Sequence, residues 1–172
     1  CVNDDFADFG DVSQTAWGQY LIADLKHYVA LQIDAFRRCM AACSETAEME
    51  KPAALFAQTA AQLQRICDCE TWDEILPYKD VDFGRLTFPK NCSDSRLAEQ
   101  MKAVRNGCKE GLAKRLRSFS DDSEQIFADL QTTSVALKGL LGLVRDFSAA
   151  YDRLKGARGI FDFSDLEHKT LD

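Results

Sequence analysis

At 172 residues the chain has the length of about one domain, and 46% hydrophobic side chains are enough to bury a core. Only 3 prolines and 9 glycines, among long runs rich in Ala, Leu, Gln, Lys, Arg and Glu, exclude a turn-rich sheet protein and predict an all-α fold. A formal net charge of -7 excludes indiscriminate polyanion binding by the chain as a whole.

No uncharged apolar run approaches the roughly 18 residues a membrane-spanning helix needs, and the N-terminal stretch lacks the basic and apolar regions of a secretory signal. We therefore expect a soluble, cytoplasmic protein with no membrane partner. The sequence opens on Cys1 and closes at Leu171-Asp172 inside a helical pattern, so a piece of a longer polypeptide is expected.

Residues 1–12 are expected to form a tail or linker made acidic by Asp4, Asp5, Asp8 and Asp11. A first long helix is predicted from an N-cap at Ser13 to about Cys43, because Trp17, Leu21, Leu25, Tyr28, Ala35, Cys39 and Cys43 recur at helical spacing. A second starts near Pro52, tolerated in a first turn, and carries Phe56, Ala60, Leu63 and Cys67 on one face. The two are expected to pair as a hairpin.

Thr71-Trp72-Asp73-Glu74 reads as a capping box opening one short turn of helix that Pro77 ends. Its acidic pair superficially resembles a Walker B motif, but no apolar strand precedes it, so we assign it a structural role. Val81 to Lys90 alternates apolar and polar residues and stops at proline, as a short irregular strand or ordered loop does. Phe83 and Phe88 are its expected anchors.

A third helix is predicted from about Ser95, with Leu97, Met101, Val104, Cys108, Leu112, Leu116 and Phe119 as its stripe. Gly107 and Gly111 each cost that helix about 1 kcal/mol relative to alanine, so packing must hold it or the glycines admit a close neighbour. A fourth follows Asp121-Asp122 and runs to about Lys155; Ile126, Leu130, Thr133, Leu137, Leu140, Val144, Phe147, Tyr151 and Leu154 alternate steps of four and three, the pattern of a bundle seam. Such a helix is on the order of 50 Å long. The expected architecture is thus an elongated bundle of about four long antiparallel helices with one short irregular extended segment, spanning residues 13–158. Gly156 and Gly159 end the last helix, and Ser164-Asp165-Leu166-Glu167 is a second capping box.

Charge is unevenly placed. Between Arg96 and Arg117 seven basic residues face only Glu99 and Glu110, a local net of +5. One nucleic-acid face would produce this segregation, and so would a solvated helix flank rich in Lys and Arg. Arg85, Lys90, Lys102, Arg105 and Lys109 are the candidate phosphate contacts, since such cations neutralise a sugar–phosphate backbone without reading bases. Phe88 is a candidate for stacking on a base, against the alternative of a loop anchor.

Catalytic chemistry is not visible. The phosphate-cradling G-x-x-x-x-G-K-[ST] loop is missing. With only His27 and His168, neither a hydrolytic triad nor a histidine metal cluster assembles. Asp162 and Asp165 flank a helix start, where carboxylates act as caps. Seven cysteines, an odd number, fit a reducing compartment, with Cys39, Cys43 and Cys108 on apolar stripes. Cys39-x-x-x-Cys43 and Cys67-x-Cys69 hold four thiols between them, but neither has the C-x2-C spacing of structural zinc, so buried free thiols are expected instead of a metal site.

One stretch carries a family likeness. Tyr151 through Leu171, with its centre Asp162-Phe163-Ser164-Asp165-Leu166-Glu167-His168, resembles the segment of AddA-type DNA helicase–nuclease subunits that leads back into the first motor domain. D-F-x-D-L is shared more loosely with superfamily 1 helicases resembling UvrD and RecB; the E-H extension narrows the likeness to AddA. Arg105-Asn106-Gly107 with Lys109, and the Phe83 to Lys90 strip, are similar to the same family.

The resemblance implies that residues 13–158 are the helical 1B insertion of the first motor domain and that 159–172 begin the return into it. It further implies a role in gripping DNA beside an ATP-driven core. The parent subunit would use ATP and Mg2+ to unwind duplex DNA and cut a strand through a separate domain during double-strand break repair, in the bacterial cytoplasm with an AddB-type partner subunit. No cofactor and no catalytic residue is expected within this stretch. The rival expectation is a structural or protein-interaction arm that docks the AddB-type partner. For a free-standing enzyme, a pocket with convergent polar groups would be required.

Overall fold

Asp11 organises the start of the fold. The computed structural model describes residues 9–43, 49–88, 95–161 and 163, and within it the Asp11 carboxylate accepts the Ser13 amide at 2.7 Å to cap a single 3-10 turn, Val12–Gln14. Thr15, not Ser13, then caps α1 (Ala16–Cys43): its Oγ1 accepts the Gly18 amide at 3.0 Å while donating to the Val12 carbonyl at 2.7 Å.

α1 buries Gly18, Ile22, Leu25, Val29, Ile33, Phe36, Cys39 and Cys43. Over the first turns this face is rotated from the expected stripe, for Trp17 is 39% exposed and Leu21 and Tyr28 are only half-buried. The cause is that α1 has neighbours on two sides. α2 (Glu50–Asp68) packs against it antiparallel, since Phe36 meets Phe56 at 4.6 Å between ring centroids while Cys67 Sγ lies 3.9 Å from the Lys26 carbonyl. α4 (Ser95–Leu116) is antiparallel to it as well: Cys43 Sγ is 3.5 Å from Met101 Sδ, the Tyr28 hydroxyl donates to the Gly107 carbonyl at 3.0 Å, and Arg115 pairs with Asp24 at 2.9 Å. Each fully buried leucine, isoleucine or phenylalanine in these two seams contributes roughly 1.5–3 kcal/mol.

The Thr71 capping box forms as expected: Thr71 Oγ1 accepts the Glu74 amide at 3.4 Å and Glu74 Oε2 accepts the Thr71 amide at 3.2 Å. It opens α3 (Trp72–Ile75), which passes into a 3-10 turn, Leu76–Tyr78. Trp72 is 1% exposed, stacked on Phe119 at 4.0 Å and edge-on to Trp17 at 6.1 Å. The Asp11 carboxylate, besides its own turn, accepts the amides of Trp72 at 3.1 Å and Asp73 at 3.3 Å. Partial burial pushes its pKa up, but these hydrogen bonds outweigh that and hold it below the usual carboxylate value. Asp73 in turn accepts the Ser123 amide at 2.8 Å, so one carboxylate steadies the entry to α3 and the next steadies the entry to α5 (Ser123–Arg158).

The chain divides into two units, one of residues 7–127 and one that includes α5 from Ala128 onward. The first contains the core described above. In the second, the seam residues Leu137, Leu140, Val144, Phe147, Tyr151 and Leu154 are 45–68% accessible; the buried residues of α5, Ser123 and Phe127, belong to the first unit. The 3.5-residue period specifies an apolar face but not which chain covers it. The fold is therefore all-α, as expected, and within residues 7–127 α2 and α4 both pack on α1, with α3 at one end. Among the described residues no helix is long and apolar enough to cross a membrane.

Candidate nucleic-acid interface

Residues 81–88 run without helix or strand, and Phe83 within them is 8% exposed. An extended backbone without a sheet partner must find other hydrogen bonds. Gln62 of α2 supplies two, accepting the Asp82 amide at 3.0 Å and donating to the Asp82 carbonyl at 3.2 Å. Asp82 Oδ1 accepts the Gly84 amide at 2.8 Å, and Gly84 takes φ 55°, where a Cβ would also lie 2.6 Å from Leu55 Cδ1. From the α4 side, Arg105 donates through Nε to the Phe83 carbonyl at 3.3 Å and through Nη2 to the Gly84 carbonyl, its guanidinium 6.0 Å from the Phe83 ring centroid. Residues 81–88 are thus a strap pinned between α2 and α4.

Lys102, Arg105 and Lys109 fall three and four residues apart on α4 and so share a face. Lys102 Nζ sits 5.4 Å over the Phe88 ring, which holds the ammonium by cation–π attraction. Lys109 is exposed beside a small hollow of about 160 Å³ that Lys79, Asp80, Val81 and Phe83 help to line. Among the described residues neither Lys102 nor Lys109 forms an ion pair.

Arg85 stands apart from this row. It is exposed on the α2 side of the strap, sharing a hollow with Lys51, Leu55 and Gln58. Among the described candidates Arg105 is the one whose side chain donates to two backbone carbonyls. Lys90 lies outside the described residues, as do Asp162, Ser164, Asp165, Leu166, Glu167 and His168 of the family-like segment; Phe163 is 88% exposed. Of the remaining cations, Arg115 is engaged with Asp24 and lies 4.0 Å over the Tyr28 ring. Gln62 carries no sign of its role in the sequence, because a polar residue on the wet side of an amphipathic helix looks the same with or without a distant backbone partner.

The cysteines lie apart from that row. Cys67 adjoins the Lys26 carbonyl, whereas Cys43 is seventeen residues further along α1, about 25 Å at 1.5 Å per residue. The two pairs cannot share an ion. Burial raises the pKa of Cys39, Cys67 and Cys69, and pushes the Cys108 thiol up to about 12, all of which disfavours thiolate. A cleft of about 480 Å³ is lined by Arg65, Asp68, Cys69, Glu74, Pro77 and Tyr78. Its Glu74 is engaged in the α3 cap, and its Cys69 thiol lies 3.1 Å from the Arg65 carbonyl.

These residues form an all-α module in which Lys102 and Lys109 lie exposed on one face of α4. No protein-family model matches it, but curated relatives do. The chain is 36% identical to the AddA subunit of the ATP-dependent helicase/nuclease of Pelotomaculum thermopropionicum over 133 residues, 70% of this chain and 10% of the relative. With the same-named protein of Clostridium novyi it shares 36% identity over 59% of the chain and 8% of the relative; with that of Acetivibrio thermocellus, 26% over 98% and 14%. The chain belongs to the AddA family of ATP-dependent helicase/nuclease proteins and spans about a tenth of the length of these relatives.

Proposed function

We propose that the chain is a DNA-contacting helical segment of an ATP-dependent helicase/nuclease of the AddA type, acting in double-strand break repair and recombination, with ATP and Mg2+ used elsewhere in the whole polypeptide. It corresponds to the 1B insertion of the first motor domain. The observation that carries the reading is the exposed pair Lys102 and Lys109 on one face of α4, beside the strap whose Phe88 ring lies under the Lys102 ammonium. Its phosphate contacts are independent of base sequence and release counterions.

A salt titration of fluorescently tailed duplex DNA tests this. Exchanging both Lys102 and Lys109 for glutamine is expected to reduce the slope of log K against log salt by about 1.8, roughly 0.9 for each phosphate no longer neutralised. An unchanged slope and affinity would remove the reading.

The exposed face of α5 supports a second use, docking of a partner protein of the AddB type. Six large apolar side chains at seam spacing, Leu137, Leu140, Val144, Phe147, Tyr151 and Leu154, are 45–68% accessible, and exposed apolar surface of this kind marks interaction sites. The double substitution Leu140→Glu with Phe147→Glu should leave unfolding stability within about 0.5 kcal/mol, as surface changes do, while abolishing co-purification with the AddB-type protein. Retained co-purification, or loss of fold, would count against docking through this face.

A further inference from the structure

We infer that Arg105 is a positioning residue and not a phosphate contact: it holds the 81–88 strap on α4 so that Phe88 can place the Lys102 ammonium. The inference rests on the DNA-contact reading and assigns its parts. Two nitrogens of the guanidinium are occupied by consecutive carbonyls, those of Phe83 and Gly84, and a third, Nη1, donates to Asn106 Oδ1 at 3.3 Å. A planar fork can span two such acceptors at once, whereas a lysine ammonium on its flexible stem cannot reproduce that pairing. Arg105 is also half-buried, unlike Lys102 and Lys109, which are exposed.

The strap has a matching anchor on its other side. Gln62 brackets the Asp82 backbone through both its donor and its acceptor, one residue before the carbonyls that Arg105 holds. Asp82, Phe83 and Gly84 are therefore fixed from two helices, and the Phe88 ring beneath Lys102 follows four residues on. If Arg105 gripped phosphate directly, its charge would be what matters and Gln62 would be irrelevant. If it positions the strap, its shape matters and neutral Gln62 behaves like it.

The test measures DNA affinity, its salt slope and amide hydrogen exchange of residues 81–88 on the 172-residue chain. Arg105→Lys, which keeps the charge, is expected to weaken binding roughly tenfold, the cost of losing a charge-assisted pair of hydrogen bonds. The strap amides should then exchange on the order of ten times faster in the free protein. Gln62→Ala should do both while leaving the salt slope at the wild-type value. Lys102→Gln should lower the slope by about 0.9 without changing strap exchange.

Wild-type affinity in Arg105→Lys, or unaltered strap exchange in both anchor variants, overturns the inference. If the Lys102, Lys109 double variant binds as the wild type does, the DNA reading fails and this inference with it. If that variant is weakened while Arg105→Lys and Gln62→Ala are not, only the positioning role fails.

Discussion

Replacing Trp72 by alanine is expected to lower the stability of the chain by about 3–5 kcal/mol, the range for truncating a buried large aromatic. Trp72 is 1% exposed and closes one end of the bundle, stacked on Phe119 and edge-on to Trp17. Its indole Nε1 donates to the Asp121 carbonyl at 3.0 Å, and its amide is one of three held by Asp11. Truncation empties the space between α1 and the turn that leads into α5. Small domains have only about 5–15 kcal/mol in all, so the variant is expected to be partly unfolded at mild denaturant. Trp72→Phe keeps the stack and loses the indole bond, at about 1 kcal/mol. Urea unfolding followed by circular dichroism measures both; an unchanged midpoint in Trp72→Ala would show that this end of the bundle does not depend on the tryptophan.

Two glycine-to-alanine exchanges are expected to move stability in opposite directions. Both gain about 1 kcal/mol of helix propensity. At Gly18 a Cβ would lie 2.0 Å from the Val12 carbonyl oxygen and 2.7 Å from its carbon, backbone atoms fixed by Thr15. Overpacking against backbone that cannot yield costs typically 1–3 kcal/mol and at times more, so the clash wins and Gly18→Ala should destabilise by about 2 kcal/mol net. At Gly107 nothing lies within 4 Å, and the propensity gain stands alone; Gly107→Ala should raise stability by about 0.5–1 kcal/mol. Thermal midpoints of the two variants read the difference directly. A stabilised Gly18→Ala would mean that α1 does not seat on the Val12–Gln14 turn.

The pair Gly107 and Gly111 illustrates how much of the fold was legible. From the residues, two interior glycines meant either weakness or close approach, and nothing local told them apart. In the fold both meanings occur: Gly107 faces open space, whereas a Cβ on Gly111 would meet the Tyr28 hydroxyl at 2.1 Å. The discriminating atom comes from a residue 83 positions away on α1.

Local signals were readable because their physics fits in a short window. The Thr71 capping box joins residues three apart, the α4 stripe repeats within 22 residues, and the start of α5 follows its own Asp122 cap, which accepts the Gln125 amide at 2.8 Å. The all-α class, the approximate run of each helix and the row of Lys102, Arg105 and Lys109 along one helix face follow from propensity, capping and period, although α1 starts from Thr15 instead of the expected Ser13. The family likeness, too, was carried by residues adjacent in the chain.

Tertiary structure alone decided what those elements do to each other. Asp11 caps α3 across 61 residues, and Ser123 Oγ accepts the Val12 amide across 111. Which turn of α1 became the centre of the core depended on helices meeting it from two sides. Arg105 donates to the Phe83 and Gly84 carbonyls because a strap without a sheet needs donors from another element. The seam of α5 has the spacing of a packed helix and yet is exposed, because hydrophobic period encodes a demand for a neighbour whereas burial requires that the neighbour be there.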